Sequence, residues 1–406
     1  VRAALGATSF LFAATGPLVL LLTTANTAGL PFETTVSWIF IIYFSAGVGT
    51  FWLSLYYRQP VIMAWSIPGT AIVSEALKHY SFNEVLGAYC VTGLILVVLG
   101  LSGIVRRVMA WLPVPVLMGM VAAVLLPYGR AAITALVDIP EIALPTIAIY
   151  LFLTAFPRFG RFCPPVLGAI VVALVISSVT GATNWTALQP RLATPQFFWP
   201  SFNLGTIVEL VPPLVVAVIA IQNGQGIGLL LSQGYNPPIN TMTVATGAGS
   251  IINMFFGGIS ACIAGPGIAI TTAPESGPPK GRFAGATSQS FLWMAFGLVA
   301  PVAASIDHVV LKKALIPMLG GLAMLGVLVG AFHTAFAGTF RNGALIAFLV
   351  TLSDIKVVGI GSAFWGLAGG MLAAIILDRA DFKQMVHKLR AAGQEKRQIE
   401  KEAEVA

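Results

Sequence analysis

Ser66-Ile67-Pro68-Gly69-Thr70-Ala71-Ile72 returns 198 positions later as Ala264-Gly265-Pro266-Gly267-Ile268-Ala269-Ile270. Both copies read Pro-Gly-x-Ala-Ile inside an apolar run. Both follow a short extended-looking piece, 61–65 in one case and 260–263 in the other. Proline at the first helical position has its φ pre-set and lacks only an N–H that would be orphaned there anyway. Each copy therefore reads as a helix that starts in mid-membrane. Residues 68–77 make about 15 Å of helix, roughly half a bilayer core. A helix that begins there points unpaired N–H groups and the positive end of its dipole into the protein. Two such starts, related by an inverted repeat, make a site for an anion at the membrane centre. The plainer alternative is that the Pro-Gly pairs only kink ordinary spanning helices.

The surrounding composition agrees with a membrane setting. Of 406 residues, 57% are hydrophobic and only 9% charged, which reads as an all-α polytopic membrane protein whose solvent is the lipid bilayer. The 42 glycines and 25 prolines suit helices that pack closely and break often. The net charge of +7 does not imply nucleic acid, because seven of the basic residues lie in a mixed-charge tail that starts at 379. Cys90, Cys163 and Cys262 all fall in apolar runs and read as small core residues rather than as disulfides or metal ligands. No signal-peptide pattern is seen. Because Val1 rather than Met stands first, the native start is expected to be missing or altered.

Polar and basic breaks divide the chain into about fourteen segments. These are 5–25, 34–56, the broken 61–77, 85–101, 113–126, 142–156, 165–179, 207–231, 241–256, the broken 260–273, 286–304, 309–331, 339–352 and 357–377. A polar, aromatic-rich connection, 181–205, separates the halves. Two further matches join the Pro-Gly repeat: Pro17-Leu18-Val19 with Pro213-Leu214-Val215, and Pro115-Val116-Leu117-Met118-Gly119 with Pro317-Met318-Leu319-Gly320-Gly321. Their order argues for a duplicated seven-segment unit. Seven is odd, so the second unit enters the membrane from the opposite side, giving a 7+7 inverted repeat. With the N-terminus inside, sixteen basic residues fall on the cytoplasmic side and six outside, which places both termini in the cytoplasm.

The candidate site lies between the two half-helix starts and the polar stretches of the first and eighth segments. Gln222, Asn223 and Gln225 put three amides within four residues, too costly to face lipid. They either donate to a ligand carboxylate or bond neighbouring helices together. Asn26, with Thr23, Thr24 and Thr27, holds the matching place in the first segment. Ser66 and Thr70 flank the first Pro-Gly and either cap its helix or touch the ligand. With Pro68, Gly69, Gly265, Pro266 and Gly267 these form the expected substrate site. No charged side chain adjoins either Pro-Gly motif, so an anion would rest on dipoles and neutral donors. The sequence carries no catalytic triad order, no metal-ligand spacing and no phosphate loop. It therefore predicts no enzyme, no cofactor and no metal.

Three stretches carry a family resemblance: residues 64–71 around the first Pro-Gly; Gln222-Asn223-Gly224-Gln225-Gly226 continuing to Gly234-Tyr235-Asn236-Pro237-Pro238; and Phe256-Gly257-Gly258 leading to Ala264-Gly265-Pro266-Gly267. They resemble the benzoate–proton symporter family, which is similar in architecture to nucleobase and sulfate-permease-like transporters. The resemblance implies a short strand before each half-helix in segments three and ten. It implies a core domain over 1–102 and 206–305 and a gate domain over 103–180 and 306–378. The loop 181–205 connects the halves, and 379–406 forms a charged cytoplasmic tail. It also implies uptake of benzoate with protons across a bacterial inner membrane, and often a homodimer. The nucleobase relatives carry acidic residues in the eighth and tenth segments where this chain has amides and Pro-Gly, so the proton carrier is not transferable from them. Glu33, Glu75, Glu209, Asp307 and His333 are the candidates, each also readable as a solvated segment end.

Three rivals remain at this level: a proton-independent anion exchanger or facilitator, a channel, and a membrane enzyme. The second lacks the charged rings or repeated filter residues of a permeation path, and the third lacks its catalytic set.

Overall fold

The computed structural model describes residues 2–111, 113–160, 163–273, 276–357, 360–385 and 387. The tail expected over 379–406 lies outside the described residues from 388 onward. Among the described residues the fold is helical apart from one two-stranded ribbon and two isolated bridges.

In the first half the helices are α1 (Arg2–Thr27), α2 (Phe32–Tyr57), α3 (Ile67–Ala76), α4 (Phe82–Ser102), α5 (Val105–Trp111), α6 (Val114–Asp138), α7 (Pro140–Ala155), α8 (Pro157–Gly160) and α9 (Pro165–Val179). The second half holds α10 (Leu204–Val216), a π-helical stretch Ala217–Asn223, α11 (Gly224–Ser232), α12 (Ile239–Phe255), α13 (Gly265–Thr271), α14 (Phe283–Leu298), α15 (Ala300–Val309), α16 (Leu315–Phe336), α17 (Arg341–Leu352) and α18 (Ser362–Leu377). Strand β1 (Met63–Trp65) precedes α3, and β2 (Ala261–Ile263) precedes α13.

Both half-helices begin where the prolines predict. Pro68 and Pro266 each sit in the first two positions of their helices. The strands pair antiparallel, with Met63 opposite Ile263, Ala64 opposite Cys262 and Trp65 opposite Ala261. Equivalent pieces of the two halves thus run past one another in opposite directions, as an inverted repeat requires.

Among the described residues, six helices are long and apolar enough to cross a membrane, or up to eight if each bent pair is one span. That is fewer than the fourteen segments expected from the sequence. The difference lies in short elements: α7, α9 and α17 have 16, 15 and 12 residues, and the third and tenth segments are strand plus half-helix. Some boundaries also move. The fifth segment, expected to stop at 126, runs through Pro127 to Asp138. The eleventh, expected unbroken over 286–304, bends by 67° between α14 and α15, where Pro301 cannot continue the hydrogen-bond ladder.

Packing follows two groups. Helix α4 packs on α12 and α2 on α14; α6 packs on α16 and α17, α17 on α18, and α7 on α9. Glycines permit these approaches. A methyl at Gly93 would lie 2.9 Å from the Gly247 carbonyl oxygen, and one at Gly343 2.8 Å from that of Gly370. Helix α1 lies against both groups, touching α3, α13 and α14 on one side and α16 on the other.

Candidate functional site at the strand crossing

A two-stranded ribbon in an apolar interior leaves edge N–H and C=O groups that lipid cannot satisfy. Side chains from neighbouring helices bond to them. On β1, the Met63 N–H donates to Thr50 Oγ1 at 2.9 Å, and Ser54 Oγ donates to the Val61 carbonyl just before the strand at 2.7 Å. On β2, the Ala261 N–H donates to Ser250 Oγ at 2.9 Å and the Ile263 N–H to Asn223 Oδ1 at 2.8 Å. Asn223 Nδ2 in turn donates to Thr246 Oγ1. The ribbon is thereby fixed, and with it the start of each half-helix.

The two starts are not equivalent. At α3 the Ser66 hydroxyl accepts the Gly69 N–H at 3.0 Å, and Thr70 Oγ1 donates to the Ser66 carbonyl at 2.9 Å. Helix α13 has no side-chain cap, and its preceding residue is Ala264. Ser66 thus caps α3, while the Thr70 hydroxyl bonds back to the carbonyl one turn earlier.

Two cavities meet at this crossing. The inner niche holds about 30 Å³, room for a water or two. It is walled by Trp65, Trp293, Ala13, Pro17 and Gly267, among others. The second is a vestibule of about 620 Å³ lined by Pro68, Met118, Val121, Gln225 and Thr334, among others. Phe12, Ile67, Gln222 and Pro266 line both, so the niche adjoins the vestibule. Gln225, Gly330 and Thr334 are exposed, which marks the open end at the start of α6 and the last turns of α16. Among the described residues, no Lys, Arg, Asp, Glu or His lines either cavity.

The expected site residues divide accordingly. Pro68, Gln222, Gln225, Pro266 and Gly267 line the cavities. Ser66, Gly69, Thr70, Asn223 and Gly265 stand behind them as framework; the Gln225 side chain rests on Gly265, where a methyl would come within 2.6 Å of Oε1. Asn26 is not brought to the crossing. Helix α1 continues unbroken to Thr27, so Asn26 lies nine residues, about 13 Å of helix, past Pro17. It lines a separate cavity with Phe32 and His308.

The sequence reading missed three residues. Ser9 Oγ, Trp293 Nε1 and both amide atoms of Gln289 are buried without a hydrogen-bond partner among the described residues, and all three side chains line the niche. Leaving a buried polar group unpaired costs about 1–3 kcal/mol, so such a cluster marks a place where a polar ligand group belongs. Gln289 had a signal available, since it is an amide in a polar run, Thr287-Ser288-Gln289-Ser290, within an expected membrane segment, as Gln222 is in its own run of amides. Ser9 and Trp293 had none.

Among the candidate proton carriers, Glu33 pairs with Arg191 and Glu75 with Lys78 at half-exposed positions. His333 is exposed, and the Asp307 side chain lies outside the described residues. Glu209 alone among those described is buried, at 3% exposure.

A family model of the benzoate membrane transport protein matches residues 2–376. The chain belongs to that family. Among curated relatives, the benzoate membrane transport protein of Acinetobacter baylyi is 29% identical over 374 residues, covering 92% of this chain and 94% of that one. The inner membrane protein YdcO of Escherichia coli K12 is 31% identical over 344 residues, 84% of this chain and 86% of that one. Members of the benzoate transport family are transporters, so the chain is a membrane transport protein and not an enzyme. Its fold is shared with anion transporters at low identity. The murine Solute Carrier 26 family member A9 in the inward-facing state matches with TM-score 0.64 at 15% identity, covering 93% of this chain and 68% of that one. The transmembrane domain of a cyanobacterium bicarbonate transporter matches with TM-score 0.61 at 16% identity, covering 92% and 97%.

Proposed function

We propose that this chain is a secondary active transporter that takes up benzoate, or a similar aromatic monocarboxylate, with protons by alternating access. The observation that carries the reading is the niche itself: walled by Gln222 and by Gln289, Ser9 and Trp293, whose buried polar atoms have no partner among the described residues, and by no charged side chain among them. At about 30 Å³ it takes a carboxylate but not a ring. The ring then lies at the mouth, against Phe12, Ile67, Met118 and Val121. The uncapped start of α13 brings Gly267 to the same place.

The proposed core domain, 1–102 with 206–305, contains the ribbon and both half-helices. The proposed gate domain, 103–180 with 306–378, contains α6 and α16, which form the other wall of the vestibule. The loop 181–205 joins the halves. On this reading the fourteen segments cross the inner membrane of a bacterium as a 7+7 inverted repeat, with both termini cytoplasmic and the vestibule open to the cytoplasm. A homodimer accords with the family resemblance.

Proton coupling has a physical motive. Moving a lone monovalent anion inward against about 100 mV costs about 2.3 kcal/mol. A proton carried with it cancels the charge. The test is uptake of labelled benzoate into proteoliposomes with and without an inward proton gradient. Accumulation that collapses with a protonophore supports symport. Uptake that ignores the gradient but follows a counter-anion supports the anion-exchanger reading instead.

A further inference from the structure

We propose that Glu209 is a proton-sensitive latch that fastens the gate helix α18 to the core on the side away from the vestibule. The inference rests on reading the chain as an alternating-access carrier in the orientation given above. Three elements converge on this one carboxylate. Glu209 belongs to α10; its Oε2 accepts the Gly361 N–H at 2.6 Å, and its Oε1 lies 3.2 Å from His79 Nε2. Gly361 is the N-cap of α18, and His79 follows the C-terminal end of α3. A methyl at Gly361 would collide with Oε1, so the glycine is what lets the two helices close on the carboxylate.

The position is suited to holding one face shut. The ends of α3, α10 and α18 that meet here are opposite to the ends of α6 and α16 that flank the open vestibule. Between the two faces, Thr24 Oγ1 lies 3.5 Å from the Tyr128 hydroxyl, and Gly320 approaches Thr23 closely. The seam between α1 and its α6–α16 neighbours is thus closed on the Glu209 side.

The chemistry of release follows from the carboxyl group. As a carboxylate, Glu209 accepts from the Gly361 N–H and the Tyr80 phenol, and from His79 when its Nε2 carries the proton. As a carboxylic acid it loses its charge and keeps one strong acceptor oxygen, so its surrounding donors no longer all face a charged acceptor and the clasp on Gly361 weakens. His79 is the way in for a proton, since its side chain is 25% exposed while that of Glu209 is 4% exposed. The other groups around the carboxylate are Tyr80, next to His79, and Lys356, whose ammonium sits 5.6 Å over the Tyr80 ring. Burial first, and then the Glu209 charge, push the Tyr80 phenol up to about 12, with Glu84 adding to the effect. Tyr80 therefore stays protonated throughout the range tested. Glu75 and Asp354 lie further out around Lys78. External acid on this face would release α18 and favour opening to the outside.

The test uses the full chain in lipid nanodiscs, without benzoate. Spin labels replace the exposed Leu204, at the start of α10, and Ile355, ahead of α18, in a background with Cys90 and Cys163 changed to alanine. Pulsed electron resonance then reads the label separation between about pH 8 and about pH 5, a range that spans the ordinary imidazole value. The expected result is a separation that lengthens by several ångströms on acidification, and a Glu209→Gln variant whose separation no longer responds to pH. His79→Gln keeps a donor but cannot ionise, and is expected to move the midpoint by roughly a pH unit. A separation that ignores pH, a Glu209→Gln variant that keeps the response, or an unmoved midpoint in His79→Gln overturns the latch. Because no substrate is present, the distance result stands apart from the uptake assay: loss of benzoate transport in the unmutated chain would sink the functional reading without deciding the latch.

Discussion

Asn223 Oδ1 accepts the Ile263 backbone N–H at 2.8 Å, in a place where neither group is reached by water. An amide that the sequence offers as a ligand donor is therefore committed to holding strand β2. Asn223→Ala strands a buried N–H and should cost about 1–3 kcal/mol of stability. Thermal unfolding in detergent should show the loss. A variant as stable as the parent would mean that the ribbon edge finds another partner.

Gln222 makes the opposite prediction. It lines both cavities, and its side chain has no hydrogen-bond partner among the described residues. Replacing a donor to a charged group costs about 1.5–3 kcal/mol, roughly ten- to a hundredfold in affinity. Gln222→Ala should thus weaken benzoate binding by that factor while leaving unfolding temperature near the parent's. Equilibrium binding to purified protein checks it, and an unchanged affinity removes Gln222 from the site.

Gln289 should trade stability against function. Both of its amide atoms are buried and unpaired, so Gln289→Leu removes a standing penalty and keeps a similar volume. The variant should unfold at a higher temperature and bind benzoate at least tenfold more weakly. If it is less stable and binds normally, the amide has a structural partner instead of a ligand.

Much of this was legible beforehand, for a physical reason. Proline and glycine act locally, so Pro68 and Pro266 placed both half-helix starts to within a residue or two. The resemblance implied a strand before each half-helix, whereas the antiparallel pairing of the two strands is seen only in the structure. What failed to show was the face each polar side chain takes. Gln222 and Asn223 are neighbours in a π-helical turn, yet one opens on the cavities and the other on β2. Nothing in the order Gln-Asn separates them. Asn26 looked equivalent to Gln222 in the repeat register, but α1 has no such turn and carries Asn26 out to its end. Ser9, at 1% exposure, is a small hydroxyl in a long apolar helix and carries no local mark of the niche that it meets.

Gly267 tests the size of the niche. A methyl there would lie 3.1 Å from both Ser9 Oγ and Ile62 Cδ1, tight enough to narrow a space of about 30 Å³. Gly267→Ala should lower benzoate affinity severalfold with only a modest change in unfolding temperature, since the methyl presses on side chains, which can shift by a few tenths of an ångström, rather than on backbone. Unaltered binding would place the carboxylate outside the niche, in the vestibule.

Selectivity should follow from the lack of any charged residue along both cavities. A helix start supplies about half a positive charge. At α3 that end is already capped by Ser66, so the two starts together offset at most roughly one negative charge. A monovalent carboxylate matches that field. A dianion would bring a second charge into a buried place with no partner for it, which is costly. The ring contributes separately, through burial of apolar surface at about 25 cal/mol per Å² against the vestibule wall. Benzoate and close monocarboxylates should therefore compete for uptake, while phthalate and sulfate compete poorly. Acetate, with the charge but no ring, should be a weak competitor as well. Inhibition measured at fixed pH and fixed proton gradient separates these terms: sulfate as effective as benzoate would mean a hidden cation serves the site, and acetate as effective as benzoate would mean the ring is not bound.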